Sequence, residues 1–273
     1  MQVNSWQGTI FVALLLCVVC SGVVSFTAGN LRDLQQENTK LDVQKNLLLS
    51  ANLISSKNIP KSEVEEAFKN VEVRIVNLKT GEYENDAPNN FDARAAAKDP
   101  SQNIVIPPKV DIAKNKYRAK LATVYLIKEN GKIASLVLPV SGYGLWSTLY
   151  GFLTLETDTR TVKGLGFYEH AETPGLGGEV DNPNWKAQWK DKVVLDDQYH
   201  PIISVEKGGN DKGTSSVDAL SGATITSRGV QNLIRYWLGD HGYGPFLNQF
   251  RNSVVKVKRV LPKSVDRSNF NYE

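Results

Sequence analysis

The sequence predicts an α+β fold, an antiparallel sheet packed against helices, carried behind one N-terminal transmembrane helix. Three observations predict it. Residues 9–28 form a run without a charged side chain, long enough to span a bilayer. Between about residues 120 and 207, short apolar stretches alternate with polar residues and turn signals in hairpin order. Helical periodicity then gathers late, after residue 218, as in folds where helices cover one antiparallel sheet.

Each element follows in chain order. Residues 1–8 are a short tail. The apolar run 9–28 reads as a retained single-span anchor: no Lys or Arg precedes it and no Ala-x-Ala cleavage site follows. A lipoprotein signal fits poorly, because Leu16 and Val19 precede Cys17 and Cys20 where a small residue is needed. Residues 29–60 form a stalk, with Leu31, Leu34, Leu41 and Leu48 at helical spacing. Residues 61–118 are an accessory region. In it, Ser62 and Glu65 make a capping-box pattern for a helix to about Phe68, and Val71, Val73 and Ile75 alternate as a strand ended by Thr80-Gly81. The rest, to 118, is polar and broken by Pro88, Pro100, Pro107 and Pro108, as surface loops are.

The main domain is expected over 119–255. Strands at 121–127 and 133–140 flank Asn130-Gly131, a type I′ hairpin signal. A second hairpin pairs 149–157 with 162–170 across a turn at 158–160. A short helix is expected at 184–189 and further strands at 193–195 and 202–207. Val230, Leu233, Ile234, Trp237 and Leu238 then mark one helical face, with Thr226 or Ser227 as its N-cap. Gly242, Gly244 and Pro245 interrupt the pattern before a helical turn at 246–250. Residues 256–273 form a C-terminal tail.

Composition narrows the function. A chain of 273 residues with 41% hydrophobic side chains buries one substantial domain plus accessory pieces. The formal net charge is +3 and the basic residues are interspersed with acidic ones, so no nucleic-acid partner is indicated. Both cysteines lie in the apolar run, which leaves the globular part without a disulfide, a thiolate metal site or an iron–sulfur cluster. His170, His200 and His241 share no metal-ligand spacing. The loop at 208–215 lacks the Gly-Lys-Ser/Thr order of a phosphate loop, and there is neither a nucleophile elbow nor a dinucleotide fingerprint. The apolar run holds no ionisable group for an ion path, so any ion movement falls to partner subunits. Arg32, Lys40 and Lys45 follow the run with nothing basic before it. By charge alone, this would place the C-terminal side in the cytoplasm.

The segment Asp218-Ala-Leu-Ser221-Gly222-Ala223-Thr224 carries the most chemistry. A turn of small residues feeding a helix start leaves backbone N–H groups aimed at open space, which suits a phosphate. Gly222 and Ala223 allow it to come close. The pattern Asp-x-x-Ser-Gly-Ala-Thr resembles the flavinylation motif of the FMN-binding domain family. Two upstream segments resemble the same family: Ser141-Gly-Tyr-Gly-Leu-Trp146, and residues 167–177 with their Glu172-Thr173-Pro174-Gly175-Leu176-Gly177 signature. The resemblance implies that Thr224 carries FMN covalently through a phosphoester. A threonine hydroxyl is a poor nucleophile and no base is evident beside it, so attachment needs outside help; the resemblance implies a separate flavin transferase that donates FMN from FAD. Asp218 would serve that enzyme's recognition, or else only cap the turn. Trp146, Leu176 and Leu220 are the expected ring walls, with Trp146 either stacked on the ring or packed in the core. Glu172 and Thr173 are expected to hydrogen-bond the cofactor. The amides of Gly175 to Gly178, Gly177 among them, and of Ser221 to Ala223 would face ring and phosphate. Lys207 either compensates phosphate charge or is simply solvated.

The whole plan, one span, a stalk, an inserted polar region and a C-terminal flavin domain, resembles the family of C subunits of the bacterial sodium-translocating NADH:quinone reductases. The G subunits of Rnf electron-transport complexes are a shorter near relative. This resemblance implies a component of a larger enzyme, anchored in lipid at the bacterial inner membrane by a single pass. It places the flavin domain in the periplasm, against the charge count, and implies electron relay between flavins toward quinone alongside other subunits of the complex. The alternatives are an Rnf-type component and a membrane-anchored scaffold that never carries flavin.

Overall fold

A twisted five-stranded antiparallel sheet organises the computed structural model, which describes residues 5–88 and 91–260. The chain divides into two units, Met1–Gln44 and Lys45–Glu273. The first contains most of helix α1 (Trp6–Ser50), which is long and apolar enough to cross a membrane. Its side chains from Ile10 to Phe26 are exposed, Cys17 and Cys20 included. The anchor and the expected stalk as far as Ser50 are one uninterrupted helix, with no break near residue 28; residues 51–60 are not helical.

In the second unit the sheet has the order β1-β4-β5-β6-β7, formed by Val71–Asn77, Leu121–Glu129, Lys132–Tyr143, Thr148–Glu156 and Val162–Glu169. The last four form a meander. Asn130 and Gly131 both take positive φ, 52° and 75°, as the type I′ turn between β4 and β5 requires. β1 pairs along its whole length with β4, from Val71 opposite Ile127 to Asn77 opposite Leu121. The region expected to be accessory therefore supplies an edge strand of the main sheet, and a boundary at 119 would cut through it. Between β1 and β4 lie helix α3 (Ala93–Lys98), capped by the Asp92 carboxylate, and the short antiparallel pair β2 (Asn103–Val105) and β3 (Tyr117–Ala119). These are regular elements where surface loops were expected.

Period-two alternation gives the sheet two apolar faces. On one face Val124, Leu126, Leu136, Leu138, Leu153, Leu155 and Leu165 form the main core with helix α5 (Thr224–Leu238) and helix α6 (Gly244–Val260). Val230, Leu233, Ile234 and Trp237 are the buried stripe of α5, as their spacing predicts. Trp237 Nε1 donates to the Ser141 carbonyl at 2.7 Å, fixing α5 to β5. On the other face Val137, Phe152 and Thr154 are buried, and the end of α1 seats there. Leu47 and Leu48 are buried, and the Ser50 and Thr154 hydroxyls hydrogen-bond at 3.2 Å. A Cβ at Gly164 would stand 2.2 Å from the Ser50 carbonyl oxygen, so glycine is what lets the helix end reach the strand.

Several local expectations shift. Helix α2 (Lys61–Phe68) starts after Pro60, whose extended conformation occupies the N-cap position without a side-chain cap; Ser62 falls inside the first turn. The N-cap of α5 is Ala223, so Thr226 and Ser227 lie within the helix and are buried. The turn at 246–250 is part of the longer α6, which also runs past residue 255. The expected strand at 193–195 makes only isolated bridges, from Val193 to Thr161 and from Leu195 to Pro201. β8 (Ser204–Glu206) and β9 (Ser216–Asp218) form a parallel pair, a local exception to the antiparallel plan. Helix α4 (Pro183–Ala187) is capped by Asn182. The expected C-terminal tail lies largely outside the described residues, as do residues 1–4 of the N-terminal one.

Candidate functional site

The turn before α5 is built from the inside. Leu220 donates its N–H to the Ser227 hydroxyl at 2.9 Å, and that hydroxyl donates to the Ala223 carbonyl at 3.0 Å. Leu220 and Ala223 are buried, while Ser221, Gly222 and Thr224 are exposed. Gly222 takes φ +70°, a left-handed conformation that costs glycine nothing. A Cβ there would meet Leu176 Cδ2 at 2.9 Å, which places Leu176 against the turn.

The first bond of the α5 ladder runs from Ser227 N to the Ala223 carbonyl, and no side chain caps the helix. The amides of Thr224, Ile225 and Thr226 therefore precede the ladder with the positive end of the helix dipole. The Thr224 hydroxyl makes no hydrogen bond among the described residues. Large apolar side chains are left in the open on the helix start, on the turn packed against Gly222 and on the 145–147 loop: Ile225 is 56% exposed, Leu176 45% and Trp146 66%. Two clefts, of about 510 and 460 Å³, lie elsewhere and include no residue of 144–147, 172–178 or 220–226. The Thr224 region is thus an apolar platform at the surface beside free N–H groups.

Beneath the platform the polarity is inverted. Glu172 is buried, and its carboxylate accepts from the backbone amides of Leu145, Trp146 and Ser147 at 2.9–3.2 Å. Its other oxygen accepts from the Thr226 hydroxyl at 2.6 Å. Burial alone would raise this carboxyl; the bonds from Thr226 and from the amides of Trp146, Ser147 and Leu145 outweigh it and hold the group below the usual glutamate value. The carboxylate is walled in by glycines. A Cβ at Gly144 would stand 2.6 Å from Oε1, and one at Gly177 would stand 2.7 Å from both Oε2 and Thr226 Oγ1. The segment after β7 is tied in nearby: Ala171 N donates to the Ser147 hydroxyl at 2.7 Å, and His170 Nε2 lies 2.9 Å from Asp181 Oδ2.

The expected site residues therefore separate into groups. Thr224, Ser221, Gly222, Ala223, Trp146, Leu176 and Gly177 come together around the α5 start. Leu220 joins them from below as a buried anchor of the turn. Thr173 is exposed, and its carbonyl accepts from Leu176 N and Gly178 N, closing the Pro174-Gly175 turn. Glu172 points inward to protein groups. Asp218 Oδ1 accepts from Asn210 N at 3.0 Å, and its carbonyl accepts from Trp185 Nε1 at 2.7 Å, which braces β9 before the turn. Lys207 is exposed in the turn after β8 and makes no hydrogen bond or ion pair with 218–226 among the described residues. Sequence reasoning missed Thr226, Ile225 and Gly144. Thr226 was signalled: it stands at i−4 and i−7 from Val230 and Leu233, on the inward stripe, where a hydroxyl needs a partner.

The FMN-binding domain family matches residues 144–239, a span holding the platform, the carboxylate and α5. Over 253 residues the chain is 43% identical to the C subunit of the Na(+)-translocating NADH-quinone reductase of Yersinia pestis, covering 91% of this chain and 94% of that protein. The chain belongs to this family of C subunits. The corresponding protein of Pseudomonas aeruginosa is 45% identical over 255 residues, with 91% and 97% covered. Among solved structures, Shewanella oneidensis NqrC superposes with a TM-score of 0.71 at 40% identity, covering 77% of this chain and 97% of that one. The C subunit of the Na(+)-translocating NADH-quinone reductase from Parabacteroides distasonis gives 0.62 at 28% identity, with 80% and 96% covered. Membership in the family fits the α+β fold, the antiparallel sheet and the long apolar first helix.

Proposed function

We propose that this chain is the electron-carrying C subunit of a membrane-bound sodium-translocating NADH:quinone reductase, with FMN held through a phosphoester to Thr224. The carrying observation is the exposed, unbonded Thr224 hydroxyl at an uncapped helix start, set among exposed apolar side chains. The residues fit the group. The amides of Thr224, Ile225 and Thr226 would face its phosphate, and Trp146, Leu176 and Ile225 would flank its ring. Held there, FMN would supply the redox chemistry by which the complex relays electrons toward quinone.

The protein's own part is attachment, orientation and access. Thr224 fixes the phosphate end only, so the apolar side chains must orient the ring. Attachment requires the Thr224 oxygen to form a bond to phosphorus as the pyrophosphate bond of FAD breaks, AMP leaves and the hydroxyl proton is lost. Among the described residues no basic side chain hydrogen-bonds the Thr224 hydroxyl, which supports the need for a flavin transferase partner. Exposure of the platform gives that transferase, and later the other subunits, access to the site. We place α1 in the lipid of the bacterial inner membrane as a single pass, with the flavin domain in the periplasm.

Intact mass of the denatured protein from its native membrane tests this directly. A gain of one FMN less one water, mapped to Thr224, is expected, and Thr224→Ala should abolish it entirely while leaving the melting temperature unchanged. A persisting gain in that variant would refute the assignment. An unmodified wild-type chain from cells with an active transferase would leave the anchored scaffold.

A further inference from the structure

The proposed ring walls come from three separate segments: Trp146 on the loop after β5, Leu176 on the turn after β7, and Ile225 on the first turn of α5. All three are exposed, so core packing does not hold them in register. A buried polar group does. Among the described residues Glu172 is the only buried carboxylate. Its Oε1 gathers three consecutive amides, Leu145, Trp146 and Ser147, a backbone concavity of the kind that binds an anion. Its Oε2 accepts from Thr226, two residues beyond Thr224, and also from Leu145 N at 3.2 Å.

We infer that Glu172 is a positioning residue: its carboxylate locks the Trp146 loop to the first turn of the Thr224 helix and so sets where Trp146 stands relative to the attachment point. This rests on the flavin reading of Thr224. It differs from a cofactor-ligand role, because both oxygens are already engaged by protein groups. Close approach of Gly144 and Gly177 also shuts the carboxylate in. The glycines of the two upstream motifs acquire a reason: a side chain at either would push the carboxylate off the amides or off Thr226. A glutamine at 172 keeps the shape. Its NH2 cannot accept, however: facing the loop it strands the amides of Leu145, Trp146 and Ser147, and facing the helix it leaves Leu145 N without its second acceptor and forces the Thr226 bond to reverse, with the amide donating to a hydroxyl that has lost its acceptor.

The test uses the full chain, produced in membranes with its flavin transferase, as wild type, Glu172→Gln, Trp146→Ala and the double variant. FMN per chain is read by denatured mass. Trp146 position is read as the ratio of flavin emission in the native protein to that after denaturation, because a stacked tryptophan quenches flavin. Glu172→Gln should keep the FMN content and raise the native emission ratio about fivefold, the population change that loss of one such bond produces. Trp146→Ala should give the same rise, and the double variant should add nothing further, since both act on one contact. Emission unchanged in Glu172→Gln, with FMN present and only the melting temperature lowered, would overturn the positioning role and leave the flavin assignment standing. A rise that adds to that of Trp146→Ala would also overturn it. Wild type without FMN would overturn both readings. If Glu172→Gln does not fold, Thr226→Val removes only the helix-side bond and carries the same comparison, with a rise in emission expected and an unchanged ratio overturning the role.

Discussion

The two ends of the flavin domain's sheet solve opposite problems. On the face that receives the end of α1, mostly apolar side chains go in: Leu47, Leu48, Val137 and Phe152 are buried, and the Thr154 hydroxyl donates to that of Ser50, which donates to the Leu47 carbonyl. At the Thr224 end, the charge goes in and the apolar groups stay out. Glu172 is buried while Trp146, Leu176 and Ile225 face solvent. Burying an ion costs several kcal/mol unless it is fully bonded, and exposing tryptophan forgoes about 2–3 kcal/mol of burial. Neither makes sense for folding alone. The inversion fits the proposed flavin site at this end of the domain, while the seated helix end serves stability.

That contrast can be broken from either side. The largest effect is expected at the seated helix: Gly164→Val places side-chain atoms against the Ser50 carbonyl, which is backbone and has little room to yield. It should cost about 3 kcal/mol, a fall of about 10 °C in the melting midpoint of the detergent-solubilised chain. An unchanged midpoint would mean the helix end is not a stability element.

The next effect lies at the carboxylate. At neutral pH Glu172→Gln should lose about 1 kcal/mol, the net worth of one such hydrogen bond. Because the folded carboxyl sits below its ordinary value, its stabilisation is complete above about pH 4.3 and is lost as pH falls through the lower folded value. Urea midpoints of wild type and variant should therefore converge in acid. A gap that persists at low pH would point to shape and not charge as the cause.

The smallest effect belongs to the platform. In a Thr224→Ala background, Trp146→Ala and Leu176→Ala should change stability by less than about 0.5 kcal/mol, as exposed side chains do. A larger loss in thermal denaturation would show that they pack against protein groups, and the inversion would disappear.

Much of this was legible in the chain. The uncharged run, the Asn130-Gly131 turn, the alternation of β4 and β5 and the stripe of α5 are local patterns, and local patterns survive folding. The Asp218-to-Thr224 motif pointed to the turn that opens α5 because its small residues are themselves the geometry. The role of Glu172 was not legible. Its partners at 145–147 and 226 lie 25 to 54 residues away in sequence, and nothing in local spacing says that a carboxylate beside a Pro-Gly turn faces inward. The place of β1 was hidden likewise, since its pairing with β4 spans the whole inserted region. Sequence alone determined the long periodic elements and the tight turns, though not the exact start of α5 or the short elements between β1 and β4, because backbone propensity and periodicity act over a few residues. Only the tertiary structure decided which faces meet, that α1 ends inside the domain, and that a buried carboxylate bonds both the 145–147 loop and Thr226, because hydrogen bonds and packing between distant segments exist only once the chain has closed on itself.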